Sequence, residues 1–124
     1  MNPAELFSHE PDPVRLAPGE VLFRAGDVAD GMFVLLEGSL DVMIGEHVVE
    51  NSTLGSIIGE MALIDDSRRG ATVIAREASI LAKIDESRFR RIIRQNPFFA
   101  THVMKVLAGR VRHMDQMATQ KRAV

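Results

Sequence analysis

The chain has 124 residues, 46% hydrophobic and 26% charged, with no cysteine, tryptophan or tyrosine and a formal net charge of −2. That length fits one domain around one core, and the lack of cysteine excludes a disulfide scaffold, an iron–sulfur cluster, a thiolate zinc site and a cysteine nucleophile. No apolar run approaches the ~18–20 residues of a membrane span, and residues 1–10 lack the basic start and apolar middle of a signal peptide. The expectation is therefore a cytoplasmic chain with no membrane span. The start at Met1 fits a complete protein, with an excised domain as the other reading.

Pro3 to Phe7 reads as a short helical turn, followed by a loop to Pro13. From Val14 to Ile84 the chain reads as short strands cut by glycine turns. Val14-Arg15-Leu16 leads to Pro18-Gly19, where proline presets φ and glycine accepts positive φ. Val21-Leu22-Phe23 follows, then the polar loop Gly26 to Gly31, then the apolar run Met32 to Glu37. After Gly38, the residues Leu40, Val42 and Ile44 alternate with Ser39, Asp41 and Met43, the period of a strand with one buried face. Gly45-Glu46 turns the chain into His47-Val48-Val49. Gly70 to Ala75 and Ser79 to Ile84 read as two more strands. Regular short strands with glycine turns predict a β-sandwich or barrel.

After Ile84 the pattern turns helical. Asp85 is placed to cap a helix from Glu86 to Arg94, with Phe89, Ile92 and Ile93 on one face. Asn96-Pro97 is a second helix start, a capping residue followed by proline at the first helical position. That helix is predicted to run to about Thr119. Within it Met104, Leu107, Val111, Met114 and Ala118 recur at alternating steps of three and four, a seam of under three heptads. Two readings stand: a helix packed on its own β-body, or a homodimer in which the seam meets its copy. Charge follows the same division. Residues 1–84 carry 14 acidic and 6 basic side chains, and residues 85–124 carry 3 and 9. A basic segment packing on an acidic body explains this more simply than nucleic acid or an anionic membrane does.

The stretch Ile58-Gly59-Glu60-Met61-Ala62-Leu63, with Arg68-Arg69-Gly70-Ala71-Thr72 after a short acidic loop, has the makings of a ligand site. Gly59 permits a sharp turn. A helical turn from Glu60 to Leu63 would point its first amides outward, which suits an anion. An arginine beside small residues offers a charged, planar donor fork to a phosphate approaching the backbone. A carboxylate would repel that phosphate but would accept hydrogen bonds from a sugar hydroxyl. Together these parts suit a ligand with one phosphate and a free hydroxyl nearby.

These residues resemble the phosphate-binding cassette of cyclic-nucleotide-binding domains, the family of catabolite activator proteins and protein kinase A regulatory subunits. The family pattern of Gly-Glu-x-Ala-Leu, a loop, then arginine and two small residues is matched by Gly59 to Leu63 and Arg69-Gly70-Ala71. Pro18 to Phe23, Gly26 to Val34 and Leu36 to Leu40 also resemble the family's early strands. The resemblance spans about residues 5–118.

It implies a mainly β chain, a jelly-roll-like β-roll (double-stranded β-helix) over about 14–84, with a short N-terminal helix and two C-terminal helices over about 85–119. Residues 1–124 would form one cyclic-nucleotide-binding domain. The implied ligand-binding residues are Ile58, Gly59, Glu60, Met61, Ala62, Arg69, Gly70 and Ala71. Glu60 would take the ribose 2′-hydroxyl and Arg69 the cyclic phosphate, with backbone amides near Ala62 and Ala71. Aliphatic residues of the roll would meet the sugar and base, and the late helix would serve as lid or dimer helix.

Three departures from the pattern stand out. Arg68 replaces a frequent proline, so either arginine is a candidate, with spacing favouring Arg69. Ile58 replaces a frequent aromatic residue. Gly70 stands where guanine-selective members often have threonine, which leans towards cAMP, with cGMP the other candidate and Thr72 close by.

The function expected is a cAMP receptor module that signals through its C-terminal helix and is not an enzyme. The alternative is a vestigial pocket on a module for protein interaction or dimerisation through Met104, Leu107, Val111 and Met114. A nucleic-acid binder using Arg88, Arg90, Arg91 and Arg94 is a third class, though no direct DNA binding is expected. A hydrolase of the cyclic nucleotide is a fourth, without a visible nucleophile or metal constellation. His9, His47, His102 and His113 lack metal-ligand spacing. Asp65-Asp66 reads as loop solvation. Neither cofactor nor metal is expected, and the downstream protein partner is not specified by the residues.

Overall fold

Among the described residues, short runs between glycine turns become eight strands: β1 Val14–Leu16, β2 Val21–Phe23, β3 Met32–Glu37, β4 Leu40–Ile44, β5 His47–Ser52, β6 Ile57–Ile58, β7 Thr72–Ala75 and β8 Ser79–Ile84. Two helices follow, α1 Glu86–Gln95 and α2 Pro97–Arg122, and 3-10 turns cover Pro3–Phe7 and Glu60–Leu63. The computed structural model describes residues 3–63 and 68–122. The strands form two four-stranded sheets, ordered β1-β8-β3-β6 and β2-β7-β4-β5. Their pairings are antiparallel. Apart from the β4–β5 hairpin, successive strands alternate between the two sheets, which is the expected mainly β roll with two C-terminal helices.

The core draws on both sheets. Leu16, Phe33, Leu35, Ile58 and Leu81 from the first sheet join Leu40, Val73 and Ala75 from the second. Burying a leucine, isoleucine or phenylalanine contributes about 1.5–3 kcal/mol each, so this cluster is what holds the sheets together. Close approach between strands also selects a glycine. Gly38, at the β3–β4 turn, has φ +95°, and a Cβ there would run into Ser79 and the Ala78 carbonyl.

Several boundaries differ from the sequence reading. β6 is a strand of two residues, too short for any period to announce it, and it exists because Ile57 and Ile58 pair with Val34 and Phe33. β5 continues to Ser52, and β7 begins at Thr72 rather than Gly70. Ile44 was expected on the buried face of β4 but is exposed. The pairing of β4 with β7 ends at Met43, and the β4–β5 ladder shifts register between Val42 and Met43. Beyond Met43, among the described residues, only β5 pairs beside Ile44, which is left exposed.

The chain divides into two compact units, residues 1–89 and 90–124. In the first, the Asp85 side chain accepts the Arg88 amide at 2.7 Å, the expected helix cap. Arg88 also donates to Glu10 at 2.6 Å and lies over the Phe7 ring, tying the N-terminal turn to the first turn of α1. In the second, the Phe99 amide donates to the Asn96 carbonyl at the start of α2. α2 ends at Arg122, later than the expected Thr119. Met104 and Val111 of the proposed seam are exposed, and Leu107 is partly buried. The side chains of His113, Met114, Met117 and Ala118, and all of Asp65 and Asp66, lie outside the described residues. No helix among the described residues is long and apolar enough to cross a membrane.

Candidate functional site

The site is built where three loops meet, two of them from one sheet and one from the other. Gly31 immediately precedes β3, Gly59 follows β6, and Arg69 lies in the segment that leads into β7. Gly59 has φ +75°, a conformation that side chains rarely adopt. A Cβ at Gly59 would also collide with the Arg69 guanidinium. Glycine is required there on both counts. The turn Glu60–Leu63 starts at once, with the Ala62 amide donating to the Gly59 carbonyl at 3.2 Å.

Arg69 is buried, and its surroundings explain how a charge is kept there. Its main chain is fixed on both sides, because the Arg69 amide donates to Asp27 O at 2.9 Å and Gly26 N donates to Arg69 O at 2.8 Å. The side chain donates through Nη2 to the Gly31 carbonyl at 2.7 Å and through Nη1 to the Gly59 carbonyl at 3.2 Å. The guanidinium carbon lies 4.1 Å from the Phe23 ring centroid and 5.9 Å from that of Phe33. Such stacking favours a cation. Nε is buried with no hydrogen-bond partner among the described residues. A guanidinium has five N–H donors, so the two carbonyls leave part of its capacity available.

The charge on Arg69 is balanced loosely. The nearest oxygen of Asp30 is 3.9 Å from Nη2, and that carboxylate is mostly exposed. Burial pushes the Arg69 guanidinium below its ordinary value, opposed by the negative charges of Asp30, Asp27 and Glu60. It remains a cation at any physiological pH. Asp30 in turn donates nothing and accepts from Lys83 Nζ at 2.8 Å. That hydrogen bond is the main reason its carboxyl is held below the usual value, with the charges of Lys83 and Arg69 adding to it against a smaller cost of burial.

The other expected residues are placed unequally. Glu60 is fully buried at the start of its turn, 1% exposed. Gly70 is exposed with open space where a Cβ would stand, and Ala71 is half-buried. Met61 is exposed and Ala62 half-buried. Ile58 is a core residue, paired with Phe33 and packed in the main cluster. The two adjacent arginines separate cleanly. Arg69 turns inward, whereas Arg68 is exposed and donates to the Gly26 carbonyl at 3.1 Å. The Thr72 hydroxyl accepts the Ala25 amide at 3.0 Å and is thereby engaged in joining two strands' ends.

Sequence reasoning did not single out Phe23, Phe33, Gly31, Asp30 or Lys83. Phe23 and Phe33 read as ordinary strand residues. Nothing in the spacing shows that they converge on an arginine some forty residues later in the chain. Among the described residues, no three histidine, aspartate or glutamate side chains gather as metal ligands.

Residues 13–96 match the family model described as the cyclic nucleotide-binding domain. A cAMP-dependent protein kinase regulatory subunit of Blastocladiella emersonii is 38% identical over 84 residues, covering 64% of this chain and 21% of that protein. The Pycsar effector protein XpPycTIR of Xanthomonas perforans is 30% identical over 105 residues, covering 84% of this chain and 35% of that protein. The chain therefore spans about a fifth to a third of these curated relatives. A structure solved in work on a cyclic-GMP-dependent signalling pathway of bacterial phytopathogenesis superposes with a TM-score of 0.75 at 28% identity. It covers 91% of this chain and 95% of the other.

Proposed function

This chain belongs to the cyclic nucleotide-binding domain family, and we propose that it is a cytoplasmic receptor module for a cyclic nucleotide, cAMP first, and has no catalytic role of its own. The observation that carries the reading is the buried Arg69 guanidinium, stacked on Phe23 and held by the Gly59 and Gly31 carbonyls with donors left over. A cyclic phosphodiester bears one negative charge, which matches one arginine. Arg69 takes the phosphate together with backbone amides near Ala62 and Ala71. Glu60 accepts a hydrogen bond from the ribose 2′-hydroxyl, a role a carboxylate can fill where it would repel phosphate. Met61 and Gly70 line the approach, and Ile58 acts only by supporting the turn from the core.

The lean towards adenine rests on two positions. Gly70 has no side chain to offer a guanine, and the Thr72 hydroxyl is already engaged by the Ala25 amide. Binding is read out through α2, by a change in its packing that covers or exposes the seam of Met104, Leu107, Val111 and Met114. A ligand shifts such an equilibrium only by its differential affinity for the two states. The whole module, residues 1–124, acts as one receptor, alone or as a homodimer through that seam. A vestigial pocket on a dimerisation module is the second reading, favoured by the exposure of Met104 and Val111.

Calorimetric titration of cAMP and then cGMP, with Arg69→Ala as control, tests the proposal. With no Trp and no Tyr, a co-purified nucleotide is conspicuous at 260 nm and is checked first. Saturable micromolar or tighter binding that is lost in the variant is expected. No heat at several temperatures from nucleotide-free protein would transfer the weight to the dimerisation module.

A further inference from the structure

Asp30 sits between two cations, and they hold it unequally. Its Oδ2 accepts from Lys83 Nζ at 2.8 Å, while its Oδ1 stays 3.9 Å from Arg69 Nη2. A guanidinium and a carboxylate in direct contact approach to about 2.7–2.9 Å. The carboxylate nearest the anion-seeking arginine is therefore drawn towards a different partner.

The location of Lys83 makes this effective. It stands on β8 opposite Phe33 in the ladder with β3. The segment just before β3, Asp30-Gly31, lies flush against that part of β8. A Cβ on Gly31 would come within 2.9 Å of the Ile84 carbonyl and 3.5 Å of Lys83 Cε. The Gly31 carbonyl is itself the short acceptor for Arg69 Nη2. Asp30 and Gly31 thus face the same guanidinium nitrogen, one with its carboxylate and one with its carbonyl. Lys83 fixes the carboxylate. β8 is otherwise largely buried, and Lys83 is its exposed member, so no core packing demands a lysine at this point.

We propose that Lys83 is a positioning residue for the anion site, which holds Asp30 away from Arg69 so that the guanidinium is presented to the ligand's phosphate. The inference rests on the reading of Arg69 as the phosphate ligand. Without Lys83, the exposed Asp30 carboxylate rotates onto Arg69 Nη2 and competes with the phosphate for the same donors.

The test is a calorimetric double-mutant cycle with cAMP on the full chain, using Lys83→Met, Asp30→Asn and the double variant, with Lys83→Arg as rescue. Ligand-free thermal melts establish that each variant folds, and Lys83→Gln replaces Lys83→Met if that variant does not melt cooperatively. Lys83→Met is expected to weaken binding about three- to fivefold, the scale of one partly exposed ion pair. In the Asp30→Asn background the same change is expected to cost less than about twofold, and Lys83→Arg to restore binding to within about twofold. An unchanged Kd in Lys83→Met, with the parent protein binding, overturns the inference and leaves the nucleotide reading intact. Equal weakening with and without Asp30 overturns it as well, since Lys83 would then act on the ligand directly. No binding by the parent protein overturns the nucleotide reading and this inference with it.

Discussion

The two sheets have the same number of strands and opposite characters. In β1-β8-β3-β6, the run Met32-Phe33-Val34-Leu35 is buried throughout, both residues of β6 are buried, and β8 exposes only Lys83. In β2-β7-β4-β5, β2 is half-buried, β4 is buried at Leu40 alone, and β5 is exposed until Ser52. The first sheet is covered more completely at its centre, so β3 begins with and β6 consists of a continuous apolar run, and the second has one wetter face. The candidate site uses this difference. Its two carbonyls, at Gly31 and Gly59, adjoin strands of the more deeply buried sheet, and its arginine arrives on the segment that enters the other. Arg69 is thereby a polar tie between the sheets as well as the proposed ligand group. A positive charge can stay buried there because two backbone carbonyls accept from it and the Phe23 ring faces it.

The contrast can be broken at several levels. The largest effect is expected in the core of the second sheet. Leu40→Ala should cost about 2–5 kcal/mol in urea unfolding, whereas Ile44→Ala, four residues along the same strand, should stay within about 0.5 kcal/mol. Equal losses would mean that the β4–β5 tip is covered after all.

The paired arginines should differ almost as sharply. Arg69→Ala should weaken cAMP binding about ten- to hundredfold or more, because charge-assisted hydrogen bonds contribute about 1.5–3 kcal/mol each. Arg68→Ala should remain within about threefold by the same calorimetric titration.

The two glycines of the site give a smaller separation. Gly59→Ala forces a side chain into a left-handed conformation and against Arg69, which should lower stability by about 1–3 kcal/mol. Gly70→Ala has open space and no such φ, and its thermal melt should move by less than about 1 kcal/mol.

The smallest effect concerns acid. The Asp30 carboxyl is held below its ordinary 3.8, chiefly by the Lys83 hydrogen bond. A depressed carboxyl contributes stability above its unfolded value, and that contribution disappears as pH falls through the folded value. Asp30→Asn should therefore be slightly less stable than the parent at neutral pH, and the two should converge on acidification below about pH 4. The pair is largely exposed, so the difference should stay under about 1 kcal/mol. A pH series of melts that keeps the gap open in acid would refute the assignment.

Much of this was legible in the residues. Glycines punctuate the strands because turns demand positive φ or close approach, so β1 to β4 and β8 fall where the pattern puts them. Asp85 caps α1 as its residue type predicts. The turn at Glu60 follows from Gly59 and a short helix-favouring stretch. β6 was not legible, because two isoleucines have no period and become a strand only when β3 offers an edge. The fate of Ile44 was not legible either, since alternation says which side a residue faces but not whether a second layer reaches it.

By itself the sequence determined the strand punctuation, the Asp85 cap and the turn at Gly59-Glu60 beside a pair of arginines, because these depend on local conformation and on residue types close together in the chain. It did not determine which arginine turns inward, that Phe23 and Phe33 flank it, or that Lys83 engages the carboxylate beside it. Those are contacts between residues as far apart as Phe23 and Arg69, or Asp30 and Lys83. The first arises when the two sheets close on a common core and the second when β3 pairs with β8, and no local preference of the chain encodes either meeting.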